Sequence, residues 1–389
     1  MDFWRTLSAG DKTYHYVSLQ AASEAGLAGV DSLPFSLKIL LENVLRHRAD
    51  SELPDEAKAL ARRDYTTLDF DIPFYPARVL SPDSSGLPLI ADLAAMRDAA
   101  HRFGVDPAKI NPRIPVDLVV DHSISVNYSG SADAAERNLA LELGRNKERF
   151  RIIRWAEQAF SQFNVVPPGN GICHQINLEK LARLVWTTAQ NGRDIAFFDS
   201  LVGMDSHTPM VNSLGVFGWG VGGIEAATAL LGEPIGLRVP KVLGCRLVGQ
   251  LPADVSTTDL ALTVTERLRT KGVVGCFVEY FGAGARSLSL PQRATLSNMA
   301  PEYGATMGLF PVDRETVKYL VVTGRNHDHI DLVERYAKAQ GVWADESSPE
   351  PAFSEVLEIN LADIEPSASG PRRPQDRISL SQVPANFRK

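Results

Sequence analysis

Cysteine is scarce in this chain: 389 residues carry three, Cys173, Cys245 and Cys276, with no two close enough to form a Cys-x-x-Cys pair. An odd, dispersed set gives no disulfide framework and suits a reducing compartment. It also withholds the clustered thiolates of an iron–sulfur cubane or a structural zinc. No metal is therefore assigned, and the cysteines are read as ordinary buried side chains. Long apolar runs are lacking too. Nothing approaches the roughly 18–20 residues of a membrane span, and the opening MDFWRTLSAGDKTYHYV lacks the basic flank and apolar core of a signal peptide. Cytoplasmic residence without a membrane partner is the expectation. Nor does one sign of charge dominate: a net charge of −7 on this length is mild and argues against a general nucleic-acid binder.

What is present is a soluble-type composition, 44% apolar, on a chain longer than a single core usually serves. Two domains are expected, with a boundary near 234–240 where turn residues cluster. The most telling stretch begins with the apolar residues Ala196, Phe197, Phe198, Leu201 and Val202, which show no helical period and read as one buried strand. Gly203 then lets the chain turn into Asp205-Ser206-His207. The glycines that follow permit close backbone approach, and 224–231 reads as a short helix.

Elsewhere Ser32 is a plausible N-cap for an amphipathic helix through Phe35, Ile39, Leu40 and Val44. Residues 77–86 read as a strand end followed by a turn, because Asp83, Ser84, Ser85 and Gly86 favour local backbone hydrogen bonds; 89–103 then reads as a helix. The β-rich run 116–120 enters Asp121-His122-Ser123, repeating the pattern of strand followed by polar triplet. Residues 131–163 read as a long helical region that Gly144 interrupts, and the turn at 167–171 introduces Cys173-His174. Beyond 240, alternating strands and helices predict a second α/β unit; past about Trp343 the composition turns to Pro, Ser, Glu and Arg, an extended tail with one short strand at 356–361.

Asp121-His122, His174, Asp205-Ser206-His207 and Glu279 thus fall at strand ends or after glycine-rich turns. A carboxylate beside an imidazole orients it and raises its pKa toward working pH, the material of general acid–base chemistry. The bland reading of any single histidine is a core or surface residue; the repetition of the pattern speaks for the set. Residues 218–223 match G-x-G-x-x-G, but no acidic ribose ligand follows about twenty residues on, so the glycines are read as packing behind Asp205–His207 rather than as a dinucleotide site. His327-Asp328-His329 has chelating residue types but sits in a charged helix start and is read as solvated.

Longer motifs carry a resemblance. LPFSLKILLENVLR (33–46), INPRIPVDLVVDHS (110–123), VVPPGNGICHQINLE (165–179), DSLVGMDSHTPMVNSLGVFGWGVGGIEA (199–226), GVVGCFVEYFG (272–282), NMAPEYGATMGLFPVD (298–313) and GPRRPQDR (370–377) resemble, in order, the amino-terminal portion of the aconitase family, on the branch with bacterial aconitase A and the iron regulatory proteins. The resemblance implies two three-layer α/β/α domains, at 1–238 and 239–343, and a tail at 344–389 that ends where the family's third domain would begin. It implies dehydration and rehydration of hydroxy-polycarboxylates. Asp121 and His122 resemble the pair that protonates the departing hydroxyl; His174, Asp205 and His207 resemble groups bonding that oxygen, with Glu279 a carboxylate near it. Substrate contact is expected from Ser206 and from Asp83, Ser84 and Ser85.

The departures bear on mechanism. The family's cluster cysteines, later arginines and serine base would lie beyond this chain, so a [4Fe-4S] cofactor is expected only if a partner chain supplies the cysteines. Pro82 stands where the family carries glutamine, Met204 where it carries threonine, Cys276 where it carries lysine, and Asn170 where it carries threonine or serine. The expected function is a truncated hydro-lyase or isomerase, cluster-independent or completed by a separate chain; the alternatives are a non-catalytic carboxylate-binding or regulatory protein, or one subunit of a split enzyme. A homo-oligomer or a second chain is expected over the open cleft.

Overall fold

Short apolar runs alternating with helices demand parallel strands joined by helical crossovers. The computed structural model describes residues 3–48, 52–63, 71–121, 125–370 and 372–388. It is a mixed α/β protein of parallel sheets flanked by helices. The central sheet has five strands, Phe217–Gly220, Ser200–Gly203, Arg78–Pro82, Val116–Val119 and Phe163–Val166 in spatial order, every neighbouring pair parallel. All five carboxyl ends therefore lie on one crest. From Arg78–Pro82 the chain builds outward to one side and then returns to the other, so the topological switch falls between Arg78–Pro82 and Ser200–Gly203, where open α/β sheets bind ligands.

A second parallel sheet runs Met307–Leu309, Phe277–Phe281, Val242–Val248, Glu355–Asn360. An amino-terminal sheet combines Trp4–Ala9, Lys12–Val17, Arg193–Phe198 and Val185–Gln190. The apolar run at 196–202, expected as one strand, is thus two strands in different sheets, Arg193–Phe198 and Ser200–Gly203. The break is Asp199, fully buried, which accepts from Arg78 Nε at 3.1 Å, from Arg78 Nη2 at 3.3 Å and from the Arg183 backbone N–H at 2.8 Å.

Three further expectations are corrected by local chemistry. Residues 83–86, read as a turn, are the first turn of the helix Asp83–Arg102, which starts directly after Pro82. Aspartate and serine suit a helix amino terminus as well as a turn, and Ser85 Oγ donates to the Met204 carbonyl at 2.9 Å. The helical region 131–163 divides at Asn146, into Ala134–Arg145 and Lys147–Ala159, with Gly144 inside the first helix. Ser32 does not cap the helix Phe35–Arg48; its hydroxyl donates back to the Gly29 carbonyl. The cap comes from Glu279 instead, whose Oε2 accepts from Phe35 N at 3.0 Å and whose Oε1 accepts from Ser36 N at 2.7 Å.

The cores cross the expected domain limits. The larger one joins the first 230 residues to Phe277, Met307, Leu320, Val333 and Tyr336; the smaller gathers Leu243 to Ile364 around the second sheet. The helix His327–Ala339 returns to the amino-terminal sheet, where buried Gln340 accepts from Leu19 N and donates to the Val17 carbonyl. His329, read as solvated, donates to the Arg183 carbonyl at 2.6 Å. The segment 344–389 is more than a tail, because Glu355–Asn360 is a full strand of the second sheet. Among the described residues no helix is long and apolar enough to cross a membrane.

Candidate active site

The polar residues at the crest are held by the strand ends beneath them. Two glycines make the turn after Ser200–Gly203 possible: a Cβ on Gly203 would lie 1.9 Å from Thr208 Oγ1, and one on Gly220 would lie 2.5 Å from the Asp205 carbonyl. The chain tightens there, and Thr208 Oγ1 donates to the Asp205 carbonyl at 2.7 Å.

Asp205 is the hub. Its Oδ1 lies 2.8 Å from His174 Nε2 and accepts the His207 backbone N–H at 2.8 Å. The His174 hydrogen bond above all, then the His207 amide, holds this carboxyl well below the usual carboxylate range, although partial burial opposes the shift. An ionised acceptor fixes His174 with its proton on Nε2. His174 is buried, and among the described residues its Nδ1 has no partner. His207 is half-exposed; its Nε2 lies 3.1 Å from Glu302 Oε1 and its Nδ1 lies 3.2 Å from Ser206 Oγ. One carboxylate thus serves two imidazoles, and the second imidazole reaches a second carboxylate.

Asp121, at the end of Val116–Val119, accepts the Cys173 backbone N–H at 2.5 Å and so anchors the turn Cys173–Ile176 that carries His174. Asp83 is buried and accepts from Arg149 Nη1 at 2.9 Å; Ser84 is exposed. The structure therefore assembles His174, Asp205, Ser206 and His207, with Asp121 beneath and Asp83 and Ser85 on the adjoining helix start. His122 lies outside the described residues. Glu279 does not join this group: both its oxygens bond to the start of Phe35–Arg48, and burial pushes its carboxyl up. The carboxylate beside His207 is Glu302, which sequence reasoning missed. It lies 95 positions away in the second unit, within the motif NMAPEYGATMGLFPVD, and no local spacing links it to His207.

The thiols do not fit a [4Fe-4S] centre. Cys173 and Cys245 are buried in separate elements with their thiols pushed up by burial, and Cys276 lies in the turn before the strand Phe277–Phe281. Among the described residues no group of three or more His, Cys, Asp or Glu side chains is placed to hold a metal ion.

Fold and site together define an α/β protein with a carboxylate-linked pair of imidazoles at the crest of a parallel sheet, groups suited to proton transfer. A model of the aconitase family (aconitate hydratase) matches residues 56–389, and the chain belongs to that family. It is 52% identical over 383 residues to aconitate hydratase A of Legionella pneumophila, covering 98% of this chain and 43% of that protein. Aconitate hydratase A of Escherichia coli K12 is 52% identical over 384 residues, and that of Bacillus subtilis 168 is 49% identical over 387 residues, each covered to 43% of its length. The chain thus spans less than half the length of these relatives. The solved structure of Thermococcus kodakaraensis aconitase X in its holo-form matches at a TM-score of 0.32 and 11% identity, over 82% of this chain and 66% of that one, too low to bear on the fold.

Proposed function

We propose that this chain supplies the acid–base half of a hydro-lyase or isomerase site for a small hydroxy-polycarboxylate, completed by groups outside the chain. The observation that carries the reading is Asp205 bonded at once to His174 and to the turn of His207, at the switch point of a parallel sheet. Dehydration needs a proton delivered to a departing hydroxyl, and an imidazole whose carboxylate partner favours the charged form is a fit donor. His122, adjoining Asp121, is the donor that the family resemblance suggests; His174 and His207 bind and orient the same oxygen. Ser206, exposed beside His207, would donate to a substrate carboxylate.

Two features support completion from outside. Ile172, which precedes Cys173-His174, and Ile224, in the helix that follows Gly220, are 57% and 86% exposed, and a covering chain would bury both. The relatives also carry more than twice this length. A separate chain or further sequence would supply the electrophile and the base.

The test is turnover of citrate, cis-aconitate, methylcitrate and isopropylmalate, followed by alkene absorbance. It is run with the chain alone and with the carboxyl-terminal portion of a relative added as a second polypeptide. Activity is expected on complementation, and Asp205→Asn is expected to lower it by roughly 10²- to 10⁴-fold while the fold is kept. A ligand that stabilises wild type and variant equally, with no turnover from either, would establish carboxylate binding without catalysis instead.

A further inference from the structure

The second sheet has its own crest, away from the crest just described. Glu302 precedes the strand Met307–Leu309 and faces His207, whereas Phe310 and Pro311 follow it and open into a different hollow. This cavity, of about 220 Å³, lies beyond the carboxyl ends of Val242–Val248 and Phe277–Phe281. It is thus where a parallel sheet places ligands, and it is smaller than the roughly 300–1,000 Å³ of drug-sized sites.

Its lining has three parts. The floor is apolar: Phe281, with the stacked pair Tyr280 and Phe310, ring centroids 4.4 Å apart, beneath it. Gly282 follows with φ +94, and a Cβ there would lie 2.6 Å from the Leu247 carbonyl, so the chain turns tightly away and leaves the space open. The roof is the segment 344–351, clasped by Arg246 Nη2 to Glu350 Oε2 at 2.6 Å. The mouth, shared with an adjoining open hollow, carries Arg286 from the helix Ala283–Ser287 and Asp345 and Glu346 from the roof segment.

The charges at the mouth decide the ligand. Arg293 is consumed by Asp313 through two bonds of 2.9 and 2.7 Å, and Arg246 by Glu350. Among the described residues Arg286 has no ion pair or side-chain hydrogen bond, and neither has Glu346. Asp345 directs Oδ1 to Ser347 and Ser348, whose hydrogen bonds hold its carboxyl below the usual carboxylate range, with Oδ2 remaining. Within the cavity one uncommitted cation, Arg286, therefore stands with two carboxylates, and the adjoining hollow adds Arg314. A polyanion would meet repulsion from the acidic side and a simple cation from Arg286, whereas a molecule bearing both signs satisfies both. We propose that this cavity binds a small zwitterion with an apolar body, an α-amino acid with an apolar side chain. Its carboxylate lies on Arg286, its ammonium on the Asp345–Glu346 edge and its side chain on the Phe281 floor.

The experiment is calorimetric titration of the intact chain with leucine and phenylalanine. Each is paired with its analogue lacking one charge: 4-methylpentanoate and isoamylamine for leucine, 3-phenylpropanoate and phenethylamine for phenylalanine. Saturable binding of at least one amino acid, weakened roughly 10- to 100-fold for both of its analogues, is expected, and Arg286→Gln should weaken it to a similar degree, the usual worth of a charge-assisted pair. Val248→Phe, which fills the hollow without touching its charges, should abolish binding while the melting temperature stays within a few degrees. No saturable binding of either amino acid, equal binding of a one-charge analogue, or binding indifferent to both substitutions overturns the proposal.

Discussion

Glu302 and Glu279 are carboxylates of one sheet unit with opposite tasks. Glu302 keeps partial access to solvent and faces His207, whereas Glu279 is buried and directs both oxygens to a helix start. Glu302→Gln should lower turnover of the completed enzyme, by up to roughly 10²-fold if His207 loses its orientation, with the denaturation midpoint unchanged. Glu279→Ala should leave Phe35 N and Ser36 N buried and unpaired, at a cost of about 2–4 kcal/mol. Parallel activity assays and urea melts separate the two; an unchanged midpoint for Glu279→Ala would sink the capping role. At this scale legibility in the sequence follows chain distance. Asp205 and His207 are two positions apart and their turn is visible as glycine followed by polar residues. Glu302 and Glu279 are chosen between only by tertiary packing, since both follow apolar stretches in the same unit.

At the scale of elements, the joint between two sheets rests on one buried ion pair. Asp199 and Arg78 are both fully buried, and Arg78 also lies 3.9 Å from Asp117 on the neighbouring strand. Asp199→Ala strands a guanidinium in the core and should cost about 3–5 kcal/mol. Replacing both partners, Arg78→Met with Asp199→Leu, should recover much of that loss, and urea melts of single and double variants measure the coupling. A double variant no more stable than Asp199→Ala would show that the pair does not act as a unit. Parallel strands were legible because strands buried on both faces read as continuous apolar runs. The sheet change at Asp199 was not, because a charged residue inside such a run looks the same whether it interrupts a strand or joins two. The start of Asp83–Arg102 was hidden for a related reason: Asp-Ser-Ser-Gly serves turns and first helical turns alike.

For the whole molecule, the helices after residue 313 tie the two sheet units into one body. Gln340 Nε2 and Oε1 satisfy groups on both sides of the junction between Lys12–Val17 and Leu19–Glu24. The wild type should therefore unfold in a single transition by tryptophan fluorescence and by circular dichroism. Gln340→Ala, which leaves two buried backbone groups unpaired, should lower stability by about 2–5 kcal/mol and separate the two signals. Non-coincident transitions already present in the wild type would show the units to be independent. The same long-range stitching has a consequence for synthesis. The helix Phe35–Arg48 receives its cap from a glutamate 243 residues later than Ser36. On a ribosome adding about 5–20 residues per second, its amino terminus waits roughly 12–50 s for that glutamate to be made. During that interval a helix that the fold buries from Phe35 to Leu45 stands without its cap, and nascent chains caught before Glu279 is made are where chaperone capture should concentrate.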